Sequence, residues 1–405
     1  MTHGSRPGPW ARAVRRAAVT GAVLVALAGC GLGGFGSDDA PRSPEEIIRI
    51  TPHDGARGVP ADGRLSVTAP DGRLERVRVT RVDDAGQRAD VAGRLSADRR
   101  SWRPDRARLA LAARYLVHAV AVDGRGRRAA RHTAFTTFVP AHRFIGYFTP
   151  EHRATVGTGM IVSFAFNRPI ADRAAVERGI SVSARPATEI AAHWFGDRRL
   201  DFRPRDYWTP GTEVTLRLRL RDVRAAPGVY GVQHRTVRFT VGRSQTSTVD
   251  AAAHTMTVRR AGQPIAVLPV TTGGAGHETW NGRMVVMERL AETRMDGSTV
   301  GFGGEYDIAD VPHALRLTTS GTFLHGNYWA GASTFGSVNS THGCVGLRDV
   351  RGGSPRTAAG WFYDRTLVGD VVQVVNSHER QVAPDNGLGG WNMPWPRWRA
   401  GSALG

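Results

Sequence analysis

The chain has 405 residues, long enough for two or three domains, and 41% of them are hydrophobic, which excludes a wholly disordered protein. All 54 basic residues are arginine and the net charge is +18. Such a charge attracts polyanions, but no zinc-finger spacing or RNA-binding signature accompanies it, so we expect no nucleic-acid partner.

The N-terminus reads as an export signal. Arg6, Arg12, Arg15 and Arg16 form a basic leader, and the uncharged stretch AAVTGAVLVALAG that follows is too short to span a bilayer comfortably. Leu27-Ala28-Gly29-Cys30 resembles a bacterial lipobox, which implies that residues 1–29 are removed and that Cys30 is lipidated. Membrane lipid is then a partner, and the protein sits outside the cytoplasm, anchored to the outer face of the cell membrane and acting in the wall. Residues 30–45 carry Gly, Ser and Pro without an apolar period and read as a flexible tether.

Short alternating segments broken by Gly, Asp and Pro follow, and the fold class expected is mainly β. Residues 46–140 and 141–243 echo one another at a period near 100 residues, with Trp102-Arg103-Pro104 recurring as Phe202-Arg203-Pro204. Two tandem immunoglobulin-like β-sandwiches fit that pattern, in architecture only, because no Cys-Trp-Cys spacing is present. Neither contains a catalytic cluster, and both read as spacers. Residues 244–377 predict a third, mostly β domain, with a hairpin turning at Ala261-Gly262-Gln263 and one short helix in RTAAGWFYDR. Residues 378–405 form a Trp-rich extension, with Trp391, Trp395 and Trp398 expected as apolar plugs packed on the third domain.

The chemistry concentrates in STHGCVGL, residues 340–347. If Cys30 carries lipid, Cys344 has no disulfide partner, and an unpaired thiol in an exported protein favours a reactive role. A thiol attacks as thiolate and needs a base or a positive field nearby. His342 lies two residues away, and His325 ends an apolar strand nineteen residues upstream. Gly326 and Gly343 leave room beside both groups, and the N–H groups of Gly343 and Cys344 are candidates for an oxyanion hole. On residue types alone three readings stay open: a nucleophile, a buried core cysteine, or a zinc site of His313, His325, His342 and Cys344.

The stretch HGNYWAGASTFGSVNSTHGCVGL resembles the signature of the YkuD-type L,D-transpeptidases: a histidine, a spacer of under twenty residues, then Ser/Thr-His-Gly-Cys. With the lipobox and the two sandwiches in front, the chain is similar to the actinobacterial lipoprotein members over nearly its whole length. The resemblance implies Cys344 as nucleophile, His325 as general base and His342 as the motif histidine. It implies Ser320, Gly321, Tyr306, Trp329 and Gly346 at substrate-lining positions, and no metal or cofactor. It further implies peptidoglycan peptide stems as donor and acceptor, 3→3 cross-links as product, and carbapenems as covalent inhibitors. Thr341 stands where serine is usual, and ETWNG replaces a Thr-Pro-x-Gly turn. Gly326 stands where some relatives have serine, so a backbone carbonyl must orient His325. Gly346 stands where Asn or Arg is common, which puts a substrate contact in doubt. The alternatives are an L,D-carboxypeptidase using water as acceptor, and a non-catalytic peptidoglycan-binding lipoprotein.

Overall fold

The structure is a computed structural model and describes residues 43–301 and 303–405. The signal over 1–29, lipidation at Cys30 and the tether as far as residue 42 lie outside the described residues. The tether ends earlier than its composition indicates. Ser43 and Glu46 form a capping box on the helix Pro44–Ile47, whose Ile47 is buried, so residues 43–45 belong to the folded part.

The first sandwich stacks a sheet of strands Arg49–Thr51, Ser66–Thr68, Ser101–Pro104 and Gly93–Leu95 on one of Arg88–Asp90, Gly72–Val82, Arg114–Asp123 and Arg128–Thr136. Alternation along Arg114–Asp123 sends Tyr115, Val117, Ala119 and Ala121 inward, as a half-buried antiparallel strand requires. With Trp102, Phe135 and Leu74 these residues make a core of their own.

The second sandwich repeats the plan with Gly146–Thr149, Val162–Phe166, Arg199–Pro204 and Ile190–Phe195 over Thr155–Val156, His234–Val241, Glu213–Arg219 and Ile180–Arg185. It adds a helix over Arg173–Arg178, N-capped by Asp172. Its core does not close on itself. Phe164, Phe202, Leu200 and Trp194 are continuous with Val285 of the third domain and with Leu388 and Trp391 of the extension.

The third domain is built on one nine-stranded sheet. Its strands in chain order are β1 Gln245–Asp250, β2 Thr255–Arg260, β3 Gln263–Thr271, β4 Gly282–Val285, β5 Glu288–Asp296, β6 Asp307–Arg316, β7 Phe323–Asn327, β8 Val345–Arg348 and β9 Val371–Val375. Their spatial order is β4-β9-β1-β2-β3-β8-β7-β6-β5. The β2–β3 hairpin turns through Ala261 and Gly262, both at positive φ, the two-residue turn that matches strand twist. β1/β9 and β7/β8 pair in parallel, so β7 and β8 lie inside the sheet, and β7 is buried at every residue. The helix Ala358–Asp364, capped by Thr357, presses Ala359 and Phe362 onto the core of Val249, Met256, Leu315, Leu324 and Leu347.

The tryptophans of the extension are plugs, but mostly for a different surface from the one expected. Trp398 is fully buried, donates its indole N–H to Ala191 O at 3.0 Å and stacks on His193 in the second sandwich. Trp391 donates to Gly159 O at 2.7 Å. The Arg203 guanidinium lies 4.7, 5.2 and 4.6 Å from the rings of Trp391, Trp395 and Trp398 and donates to Met393 O at 2.9 Å. Burial brings its pKa down to about 10. The extension also packs on the third domain, through Val382 in that domain's core, through Leu388 and Trp391 beside Val285, and through the polar pairs Asn386 to Ser320 and Asn392 to Arg283. The correction has a physical reason: large apolar rings announce burial, not which surface receives them.

Candidate active site

In the parallel β7/β8 pair, His325 stands opposite Gly346 and Leu324 opposite Val345. Paired residues share a face, as do residues two apart on one strand. Cys344, two before Gly346, therefore emerges on the same face as His325. The register alone brings together the two residues that the motif separates by nineteen positions.

The turn carrying Cys344 is fastened on several sides. Gly343 sits at φ +99°, which a side chain would strain. Thr341 Oγ1 donates to the Cys344 carbonyl at 2.7 Å, so the hydroxyl shared by Ser and Thr here braces the backbone of Cys344 itself. Gly274 and Thr341 exchange a backbone bond of 2.9 Å, and Ser340 N donates to Thr271 Oγ1 at 3.1 Å. Asn339 ties the same loop to Thr272 and Ala251. These bonds aim the thiol by backbone geometry, which is how a site on a loop acquires the rigidity of the sheet beneath it.

Cys344 is 9% exposed. Its Sγ accepts from Phe323 N at 3.4 Å and donates to Gly321 O at 3.7 Å. Burial pushes the thiol up to about 11, only partly offset by the Phe323 N–H. His325 is buried as well, and loss of solvent drives its pKa down, against the smaller opposing effects of the Gly326 carbonyl and the Asp349 charge. Burial therefore favours the neutral form of both groups, thiol and imidazole alike. Both groups resist charge because both have left water.

His325 Nδ1 lies 3.0 Å from Gly326 O. A carbonyl only accepts, so Nδ1 carries the proton and Nε2 keeps its lone pair, able to take up a proton. The orienting carbonyl is therefore that of the residue where relatives place serine. A Cβ at Gly326 would fall 2.1 Å from Asp349 Oδ2, which leaves no room for that serine. The motif does not name Asp349. Its side chain is fully buried, accepts from Thr357 Oγ1 at 2.9 Å and pairs with His313 at 2.7 Å. His313 is thus committed to Asp349 and does not join His325, His342 and Cys344 in a four-ligand metal set. Only tertiary packing reveals Asp349, since nothing near it in sequence marks it.

The remaining expected residues divide into two groups. Trp329 is exposed and stacks on His325 at 5.6 Å and 15°, walling the base. Tyr306 lies 4.9 Å from the His342 ring, and burial together with the Cys344 charge pushes its hydroxyl up to about 12. His342 Nε2 is 3.1 Å from Glu305 Oε2. Gly321 supplies the carbonyl that receives the thiol and lies under Val300 of the β5–β6 hairpin. Ser320 Oγ accepts from Asn386 Nδ2 at 2.8 Å and lies 3.1 Å from Thr318 Oγ1, so its part is to hold this loop. Gly346 does not line the cleft. It is buried, and a Cβ there would meet Thr271 Cγ2 at 2.9 Å and Asn327 Nδ2 at 3.3 Å. The space beside Gly346 is filled by Asn327 from the neighbouring strand, with Thr271.

Residues 244–374 match the L,D-transpeptidase catalytic domain family (YkuD), and residues 56–224 match the bacterial Ig domain family. L,D-transpeptidase 2 of Mycobacterium tuberculosis is 34% identical over 406 residues, covering 96% of each chain. The chain belongs to the L,D-transpeptidases. L,D-transpeptidase 5 of the same species is 29% identical over 374 residues, 90% of this chain and 79% of that one. Among solved structures, the L,D-transpeptidase LdtMt1 in complex with imipenem is 28% identical, covering 58% of this chain and all of that one, with a TM-score of 0.48. As an L,D-transpeptidase the protein is a cysteine-dependent acyltransferase.

Proposed function

We propose that this L,D-transpeptidase acts outside the cytoplasm on peptidoglycan tetrapeptide stems, with Cys344 as nucleophile and His325 as base. The shared face of β7 and β8, with His325 Nε2 left unprotonated by the Gly326 carbonyl, is the observation that carries this reading. When the carbonyl of the third stem residue reaches the turn, Sγ bonds to its carbon and the thiol proton passes to His325 Nε2. The N–H groups of Gly343 and Cys344 face the developing oxyanion. Collapse breaks the bond to D-alanine, which leaves with the proton from His325, and a thioester remains. An amine of a second stem then attacks, loses its proton to His325 and releases Cys344 with a new 3→3 peptide bond. Because the resting thiol is neutral, the proton transfer and the attack belong to one step with substrate in place, and water meets few free thiolates between turnovers. Lipid attachment at Cys30 places this chemistry at the membrane face, and the two sandwiches set its distance from that face.

Intact-mass measurement after incubation with a carbapenem tests the site. The expected result is one covalent adduct on the parent and none on Cys344→Ala, with circular dichroism of the two unchanged. No adduct on a folded parent would move the non-catalytic wall-binding reading to the front. Disaccharide-tetrapeptides then separate cross-linked dimers from the tripeptides that an L,D-carboxypeptidase would leave. Alkylation by iodoacetamide checks the neutral pair. Its rate should climb only as pH approaches about 11 and stay low near 8.5, where an ordinary thiol is half ionised.

A further inference from the structure

The β5–β6 hairpin brings a carboxylate to the mouth of the cleft, where two imidazoles meet it. Glu305 Oε2 is 3.1 Å from His342 Nε2 and 3.6 Å from His277 Nε2. The ligand atoms of all three residues lie within 4.8 Å of one another. A tetrahedral zinc with bonds of about 2.0–2.2 Å holds its ligands about 3.3–3.6 Å apart, so both carboxylate distances are already close to coordination geometry. The three groups are neither fully buried nor mutually blocked, and two imidazoles with one carboxylate suit a borderline divalent ion with a fourth position open to water.

We propose that His277, Glu305 and His342 form a binding site for a divalent transition-metal ion of the zinc class, and that the bound ion clasps the hairpin tip over Cys344. The three ligands come from three segments. His277 stands in the loop after β3, immediately before the ETWNG stretch. His342 belongs to the nucleophile loop, and Glu305 to the hairpin. Two of these segments are already joined by the Gly274–Thr341 bond, while the hairpin is the third party. Val300 on the same hairpin covers Gly321, whose carbonyl receives the Cys344 thiol. An ion bridging Glu305 to the other two therefore fixes the cover in the closed position, and its removal frees the entry to the thiol. The ion plays no part in the acyl transfer.

The test uses the full-length chain in detergent, freed of metal and titrated with Co²⁺. A single saturable site should show visible d–d bands without a thiolate charge-transfer band, and Zn²⁺ should displace it. His277→Ala and Glu305→Gln should each weaken binding by about tenfold or more, while Cys344→Ala should bind as the parent does. Absence of saturable binding, or binding that survives both His277→Ala and Glu305→Gln, would reduce the cluster to an ordinary ion pair and overturn the site. A charge-transfer band that vanishes in Cys344→Ala would place the metal on the thiol and overturn it equally. Saturating Zn²⁺ should slow carbapenem acylation of the parent several-fold, with chelator restoring it, and slow Glu305→Gln much less. Binding without that slowing would remove the clasp. The cobalt spectra do not depend on acylation, so failure of the metal site and failure of the proposed function are separable.

Discussion

The two sandwiches carry the same short motif and use it differently. Trp102 and Phe202 both point into their cores, at 4% and 6% exposure, on equivalent strands Ser101–Pro104 and Arg199–Pro204. The next residue separates them. Arg103 is exposed, whereas Arg203 is sealed between three tryptophans that arrive from the end of the chain. The first sandwich is a self-contained body, joined to the second by contacts such as Phe138 against Tyr230 and Leu111 N to Asp222. The second shares one hydrophobic core with the extension and the catalytic domain. Local sequence repeats, then, do not guarantee equivalent roles, because one buried guanidinium turns a spacer into part of the enzyme's frame.

Substitutions in matched pairs sharpen this contrast. The largest effect is expected from Trp398→Ala, which removes a fully buried indole and should cost about 3–5 kcal/mol. Calorimetry should show the transition shared by the second sandwich and the catalytic domain moving down, with carbapenem acylation falling alongside it. Its counterpart Trp102→Ala should destabilise the first sandwich comparably and leave the acylation rate as it was. Equal loss of acylation in both would break the comparison. Next comes Arg203→Met, which gives up a charge-assisted bond to Met393 O and the stacked rings, for about 2–3 kcal/mol, while Arg103→Met should stay within about 0.5 kcal/mol. Thermal unfolding of the pair decides it.

A smaller change follows from Asn386→Ala. Asn386 accepts from Ser320 N at 3.1 Å and donates to its hydroxyl, fixing the loop whose Gly321 carbonyl receives the thiol. Loss of these bonds should cost about 1 kcal/mol and slow single-turnover acylation by a few fold without unfolding the protein. The smallest effect belongs to Phe138→Ala at the junction of the sandwiches, with about 1 kcal/mol or less and no change in acylation. A junction effect larger than that of Asn386 would mean that the first sandwich steadies the catalytic site after all.

Cys344 and His325 as candidates, and the division into two sandwiches and a catalytic domain, rest on a motif and an alternating pattern, although β7 runs on to Asn327 instead of ending at His325 as expected. Asp349, Asn327, His277 and Glu305 were not legible in the sequence, since each acts through a partner distant in sequence. Asn327 shows the reason well. Gly346 stands where Asn or Arg is expected, and only the packing shows that Asn327 of the neighbouring strand brings its Nδ2 to 3.3 Å from where a Cβ there would lie. The charge state of the thiol was hidden for a related cause. A motif names the groups but says nothing of how much water they retain, and here desolvation outweighs the single N–H that favours thiolate.

The extension also governs the order in which the exported chain can fold. Trp194 N donates to Gly401 O across more than two hundred residues, and the second sandwich has Trp391 in its core. Residues 142–241 therefore emerge with an unfilled apolar wall and must wait for the last part of the chain to cross the membrane. The first sandwich has no such debt and can fold as soon as it emerges. During that interval the middle of the protein is its most adhesive part, so a chain cut short near residue 390 would leave a sticky intermediate rather than merely a shorter enzyme.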